Sequence, residues 1–167
     1  CSTKPHISRV LAELDGDPRV KVVRRKQNGH ISAASNSALE LATGDFVALL
    51  DHDDLLAEHA LYLLAEELAE HPEAAIVYSD EDKIDTAGRR YDPHFKPDYN
   101  PDLFLSYNFI CHFTAYRREL VERVGGFRQG FEGAQDYDLA LRVAELAKPG
   151  QIRHVPHVLY HWRSIPG

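Results

Sequence analysis

The chain has 167 residues, enough for one domain with its own core, and its 44% hydrophobic and 27% charged residues are ordinary for a globular protein. No apolar run approaches the roughly 20 residues of a membrane span, no signal peptide is recognisable, and a net charge of −7 argues against a nucleic-acid partner, which needs a basic face. Two cysteines, Cys1 and Cys111, are too few for a disulfide framework and fit a reducing compartment; the lack of methionine and the start at Cys1 suggest a processed or trimmed product.

The elements read in chain order as follows. Ile7, Val10, Leu11 and Leu14 recur at helical spacing and predict a helix over 5–14, closed by the turn Asp15-Gly16-Asp17-Pro18. Val20 to Val23 reads as a short strand. Gly29 opens a loop, and Ile31 to Ala42 reads as a small-residue helix ended by Thr43-Gly44. Phe46 to Leu50, five apolar residues in a row, predicts a central strand. Leu55 to Glu70 predicts a helix with Ala57, Ala60, Leu61, Leu64, Ala65 and Leu68 on one face, stopped by His71-Pro72. Ala75 to Tyr78 is a further strand. Alternation of this kind implies right-handed βαβ units and a mostly parallel sheet flanked by helices.

After residue 83 the texture is less regular. Thr86-Ala87-Gly88 is a turn, and Tyr91 to Pro101, with three prolines, reads as irregular. Phe109 to Tyr116 reads as a strand, Arg118 to Val124 as a short helix stopped by Gly125-Gly126, and Gln135 to Ala147 as a helix. Ile152 to Trp162 reads as a last strand, placed at an edge by Pro156. With no repeat or linker visible, residues 1–167 are expected to form a single α/β domain.

Chemistry concentrates at element ends. The strand over 46–50 runs straight into Asp51, Asp53 and Asp54; at the carboxyl end of a strand in an open α/β sheet such hard oxygen ligands suit Mg²⁺ or Mn²⁺ on a substrate's phosphates. A solvated loop capping the next helix is the alternative. An acidic protein handling anionic substrates needs a cation, which favours the metal. Asp80-Glu81-Asp82 follow another strand; Asp80 and Asp82 could share the same crevice or belong to a turn, and Glu81 reads as part of a turn. The segment Gly130 to Leu139 runs a glycine-bearing loop into a helix with Asp136 and Asp138 in its first turn, where one carboxylate could serve as a general base and the other as a cap, Asp138 being the better cap. His154, His157 and His161 lack the helical spacing of a zinc site. Dinucleotide and P-loop glycine motifs are absent, and Leu55, Leu56 and Tyr62 fall where a calcium loop needs other residues.

Taken together, Gln27 to Asn36, Ala42 to Phe46, Leu50 to Asp54, Gly125-Gly126-Phe127 and Gln135 to Leu139 resemble family 2 glycosyltransferases, which have the nucleotide-diphosphosugar transferase fold called GT-A. Tyr78 to Lys83 and Phe95 to Asp98 resemble a bacterial subgroup that builds O-antigen and related cell-surface polysaccharides. The resemblance implies inverting, metal-dependent glycosyl transfer from a nucleoside-diphosphate sugar to a saccharide or lipid-linked saccharide, in the cytoplasm or at the inner face of the plasma membrane. By the same resemblance, Asp53 and His161 would hold Mn²⁺ or Mg²⁺, with Asn28, Asn36, Asp51 and Asp53 at the donor. Asp136 would be the base, and Asp80, Asp82 and Gln135 would line the sugar or acceptor pocket. Ser35 stands where the family usually has Arg, and Gln135 where it usually has Glu. Cys1-Ser2-Thr3 resembles the turn after the family's first βαβ unit, so that unit is expected to be missing and other domains of a longer protein are expected partners. Nucleotidyl transfer on a similar fold, or a non-catalytic scaffold domain, are the rival readings.

Overall fold

A computed structural model describes residues 4–164; the Cys1-Ser2-Thr3 turn lies outside them. Twelve elements are described: α1 (Pro5–Leu14), α2 (His30–Leu39), β1 (Phe46–Ala48), β2 (Leu55–Leu56), α3 (Ala60–Glu70), β3 (Ile76–Ile84), β4 (Arg90–His94), α4 (Pro101–Ser106), β5 (Thr114–Arg117), α5 (Arg118–Arg123), α6 (Gln135–Ala144) and β6 (Ile152–Arg163).

The strands form one six-stranded sheet in the order β1-β5-β3-β6-β2, with β4 paired to β3. The α/β class holds, but the sheet is mixed rather than mostly parallel. Among the described residues only β3 and β6 pair in parallel; β5 is inserted antiparallel between β1 and β3, while β2 and β4 run antiparallel to β6 and β3. β1, β3 and β6 therefore still point the same way. The carboxyl end of β1, the amino end of β5 and the middle of β3 and β6 meet along one stretch of the sheet.

Side chains alternate across the pleat, so Ile76 and Tyr78 face one core and Val77 the other. The first core packs Phe104, Phe109, Ile110, Val121, Phe127 and Leu139 from the second half of the chain; the second packs Leu63, Leu64 and Leu68 of α3 against Val155, Leu159 and Tyr160. No helix among the described residues is long and apolar enough to cross a membrane.

Several boundaries depart from periodicity for identifiable reasons. Val20 to Val23 pairs with no strand, so its backbone has no ladder to join. The helix expected from Leu55 starts at Ala60, because Leu55 and Leu56 pair with His161 and Tyr160 of β6. β3 runs on through Asp80-Glu81-Asp82, which are strand residues and not a turn. The proline-bearing stretch after Tyr91 begins as β4, where an edge position tolerates Pro93. β5 begins only at Thr114, since Phe109 and Ile110 are buried without entering a ladder. β6 lies inside the sheet, and Pro156 is accommodated by a bulge: Ser79 pairs with Val155 but Asp80 with Val158.

Candidate active site

The junction of β1, β5 and β6 opens into a cleft of about 830 Å³ lined by Asp51, Cys111, His112, Gln135, Asp136 and Tyr160 among others. Asp51 leaves the end of β1, and Asp136 stands in the first turn of α6, so the two distant acidic motifs share one cavity. The apolar wall comes from β1 and α2, including Val47, Ala38 and Leu39, and Ser35 also lines the cleft.

Asp51, Asp54 and His112 each present a ligand atom, all within 4.8 Å of one another. Tyr160 fastens the three together. Its hydroxyl accepts from the Asp51 backbone N–H at 3.3 Å and donates to Asp54 Oδ2 at 2.5 Å, and its ring stacks on His112 with centroids 4.7 Å apart. Asp54 is buried, its Oδ1 accepting from the Arg163 backbone N–H at 2.7 Å. Partial burial pushes the Asp51 carboxyl up, against the pull of His112, with the carboxylates of Asp54 and Asp53 adding to the rise.

Glu81 and Lys96 form the layer beneath His112. Glu81 Oε2 accepts the His112 backbone N–H at 3.1 Å and lies 3.2 Å from its Nδ1, while Lys96 Nζ, fully enclosed, sits 3.3 Å from the same oxygen and donates to the His112 carbonyl. Burial works to raise the Glu81 carboxyl, but His112 and Lys96 outweigh it and hold it at about 2. Burial lowers the Lys96 ammonium despite Glu81. His112 is raised: burial opposes its charge, and Glu81 overcomes the penalty.

Asp136 Oδ2 accepts from Asn108 Nδ2 at 2.9 Å and from the Cys111 thiol at 3.4 Å. These bonds leave Oδ1 of Asp136 for another donor. Burial pushes the Cys111 thiol far up, reinforced by Asp136, so it serves as a neutral donor. Asp138, two residues on, is buried in ion pairs with Arg128 and Arg142 and ties α6 to the preceding loop. Gln135 lines the cleft, and its Oε1 accepts the Gly133 N–H at 2.6 Å.

Other candidate residues fall elsewhere. Neither Asp53 nor His161 belongs to the group of Asp51, Asp54 and His112. The parallel register sets His161 beside Asp82, and its Nδ1 lies 2.6 Å from Asp82 Oδ1, while the Asp53 carboxylate is half exposed and 3.8 Å from His52 Nδ1. Asp82 is also held by Arg90 at 2.7 Å, and Asp80 is buried between the Lys96 backbone N–H and His154 at 2.9 and 2.8 Å. Neither lines the large cleft. Asn28 accepts from the His30 N–H at 3.0 Å at the start of α2.

Asn36 is a clamp. It donates to the Phe127 carbonyl and accepts the Phe127 N–H, each at 2.8 Å. The approach is so close that a Cβ on Gly126, at φ +69°, would lie 2.5 Å from Asn36 Oδ1. Asn36→Ala strands both backbone groups; we expect a loss of about 2 kcal/mol, seen as a fall of roughly 4–8 °C in Tm by calorimetry. An unchanged Tm would show that water replaces the clamp.

Sequence patterns missed His112 and Tyr160, because neither belongs to an acidic motif or a recognisable spacing, and they assign Lys96, though within the segment Phe95 to Asp98, no role. His112 falls inside the strand expected over Phe109 to Tyr116, which in the structure begins only at Thr114.

The sheet, its carboxyl-end acids and the acid at the start of α6 define an α/β domain of the GT-A type. The sequence matches the profile of glycosyl transferase family 2 over residues 1–125. The chain belongs to that family. It is 54% identical to the uncharacterized protein y4gI of Sinorhizobium fredii, across 100% of this chain and 18% of that protein. It is 41% identical to the O-antigen biosynthesis protein RfbC of Myxococcus xanthus, across 98% of this chain and 13% of that one. The chain thus spans less than a fifth of either relative. Among solved structures it superposes on S. aureus TarS residues 1–349 in complex with UDP-GlcNAc, with a TM-score of 0.77 over 100% of this chain and 48% of that one. At 21% identity that likeness speaks for the fold alone.

Proposed function

We propose that this domain catalyses inverting, metal-dependent transfer of a glycosyl group from a nucleoside-diphosphate sugar to a saccharide hydroxyl in cell-surface polysaccharide synthesis. The observation that carries the reading is the sharing of one cleft by Asp51, with its neighbours Asp54 and His112, and Asp136. The relationship to RfbC supports the polysaccharide context.

Two carboxylates and an imidazole within 4.8 Å fit Mn²⁺ or Mg²⁺. Asp51, Asp54 and His112 would hold the ion, which supplies charge neutralisation to the departing diphosphate. Asp136 accepts the acceptor's hydroxyl proton at Oδ1, its other oxygen being fixed by Asn108 and Cys111. The acceptor oxygen forms its bond to the anomeric carbon from the face opposite the diphosphate. The old carbon–oxygen bond breaks with its electron pair passing to the diphosphate, and configuration inverts.

Calorimetry with UDP or GDP, with and without Mn²⁺, tests the donor side. Asp51→Ala should weaken the Mn²⁺-dependent affinity by no less than the ~10–100-fold that losing a supporting partner of a metal ligand costs. Equal affinity in the variant, or indifference to Mn²⁺ in the wild type, removes the metal from the reading. Release of a nucleoside diphosphate, as opposed to a monophosphate or pyrophosphate, separates glycosyl from nucleotidyl transfer.

A further inference from the structure

We propose that Trp162 and the small cleft beside it form a saccharide subsite that holds the acceptor's preceding sugar unit; this rests on the transferase reading above. Trp162 lies in β6, two residues past Tyr160, and is 46% exposed. It lines both the large cleft and a second one of about 350 Å³, whose wall also carries Glu81, Asp82, Lys83, Asp92 and His94. One aromatic side chain therefore bridges the cavity of the candidate base and its annex.

The chemistry of the annex suits a neutral polyol and not a phosphate. Of its three carboxylates Glu81 and Asp82 are engaged in buried pairs, and Asp92 is the one open to accept hydrogen bonds from sugar hydroxyls. The outermost, Asp92, is 63% exposed and positioned by Lys83 at 2.6 Å. Lys83 Nζ also lies 5.6 Å from the Trp162 ring centroid, bracing the indole from the β3 side. The exposed ring offers an electron-rich face to the slightly positive C–H bonds of a pyranose. The annex volume lies at the small end of ligand clefts. A saccharide with its reacting hydroxyl at Asp136 extends across Trp162 into this annex.

Trp162 is the only tryptophan in the chain, so its fluorescence reports the subsite. Titration of the 167-residue chain with chitotetraose, cellotetraose and maltotetraose should shift the emission with at least one of them in the millimolar range. Saturation-transfer NMR with that oligosaccharide should show about tenfold weaker binding for Trp162→Ala and little change for Trp162→Phe, the aromatic face being the common requirement. Asp92→Asn, which leaves the indole in place, should weaken binding about threefold. No emission shift with any of the three sugars, or equal binding by Trp162→Ala, overturns the subsite. A shift caused by UDP-GlcNAc with Mn²⁺ but by no oligosaccharide assigns the ring to the donor and also overturns it. If oligosaccharide binds through Trp162 while UDP and GDP fail to bind with Mn²⁺, the subsite stands and the donor reading falls.

Discussion

Asp136→Asn should lower turnover by about 10²–10⁴-fold while leaving nucleotide affinity within a factor of two or so, because a positioned general base contributes that much to proton transfer and nothing to donor binding. The amide keeps the shape and can still receive the Asn108 and Cys111 bonds, so the variant isolates basicity from packing. The assay is nucleoside-diphosphate release with acceptor present, run beside calorimetry of the nucleotide. Turnover within threefold of wild type would remove Asp136 from the chemistry. Asp138→Asn serves as the contrast. Its carboxylate is paired with Arg128 and Arg142, so the expected loss is in stability, through uncompensated charge, and not in the proton-transfer step.

The second large effect concerns the charge pair under His112. Lys96→Met removes the cation that shares a buried oxygen of Glu81, leaving that carboxylate with the imidazoles of His112 and His94 as ion-pair partners. Breaking one side of such a pair costs about 3 kcal/mol or more, a fall of roughly 6–12 °C in Tm for a chain of this length. The double variant Glu81→Gln/Lys96→Met should be more stable than the sum of the single losses implies, since no lone charge remains. Additive losses would show that the two groups do not interact.

The same pair sets an acid limit. Glu81 is held at about 2, below its ordinary 4.5, so its contribution is present above about pH 4.5 and is lost as pH falls towards 2. His112 is raised, so its contribution is present below its ordinary 6.5 and fades as pH rises through its folded value. Glu81→Gln should flatten both slopes in a plot of denaturation midpoint against pH. A slope that survives below pH 4.5 would assign acid sensitivity to other carboxylates.

Much of this was written in local pattern. The helix over 5–14, the strand entering Asp51, the stop at Gly125-Gly126 and the helix carrying Asp136 all follow from spacing and end signals. Sheet order does not, because the insertion of β5 between β1 and β3 depends on which apolar ribbon packs where, and no residue encodes that alone. Position along a strand misled as well. Asp80 and Asp82 look like turn acids but are buried in β3, where His154 and His161, more than seventy residues on in β6, pair with them beside Arg90 of the neighbouring β4. Pairings of this range lie beyond any window over which periodicity is read.

Tyr160 has a consequence for how the protein is made. The acidic loop after β1 is translated about a hundred residues ahead of the hydroxyl that ties Asp51 to Asp54 and the ring that backs His112. A nascent chain halted ahead of that tyrosine carries the acids without their fastening. The cluster of Asp51, Asp54 and His112 is thus assembled in one step once that tyrosine has been made, as a threshold and not by degrees.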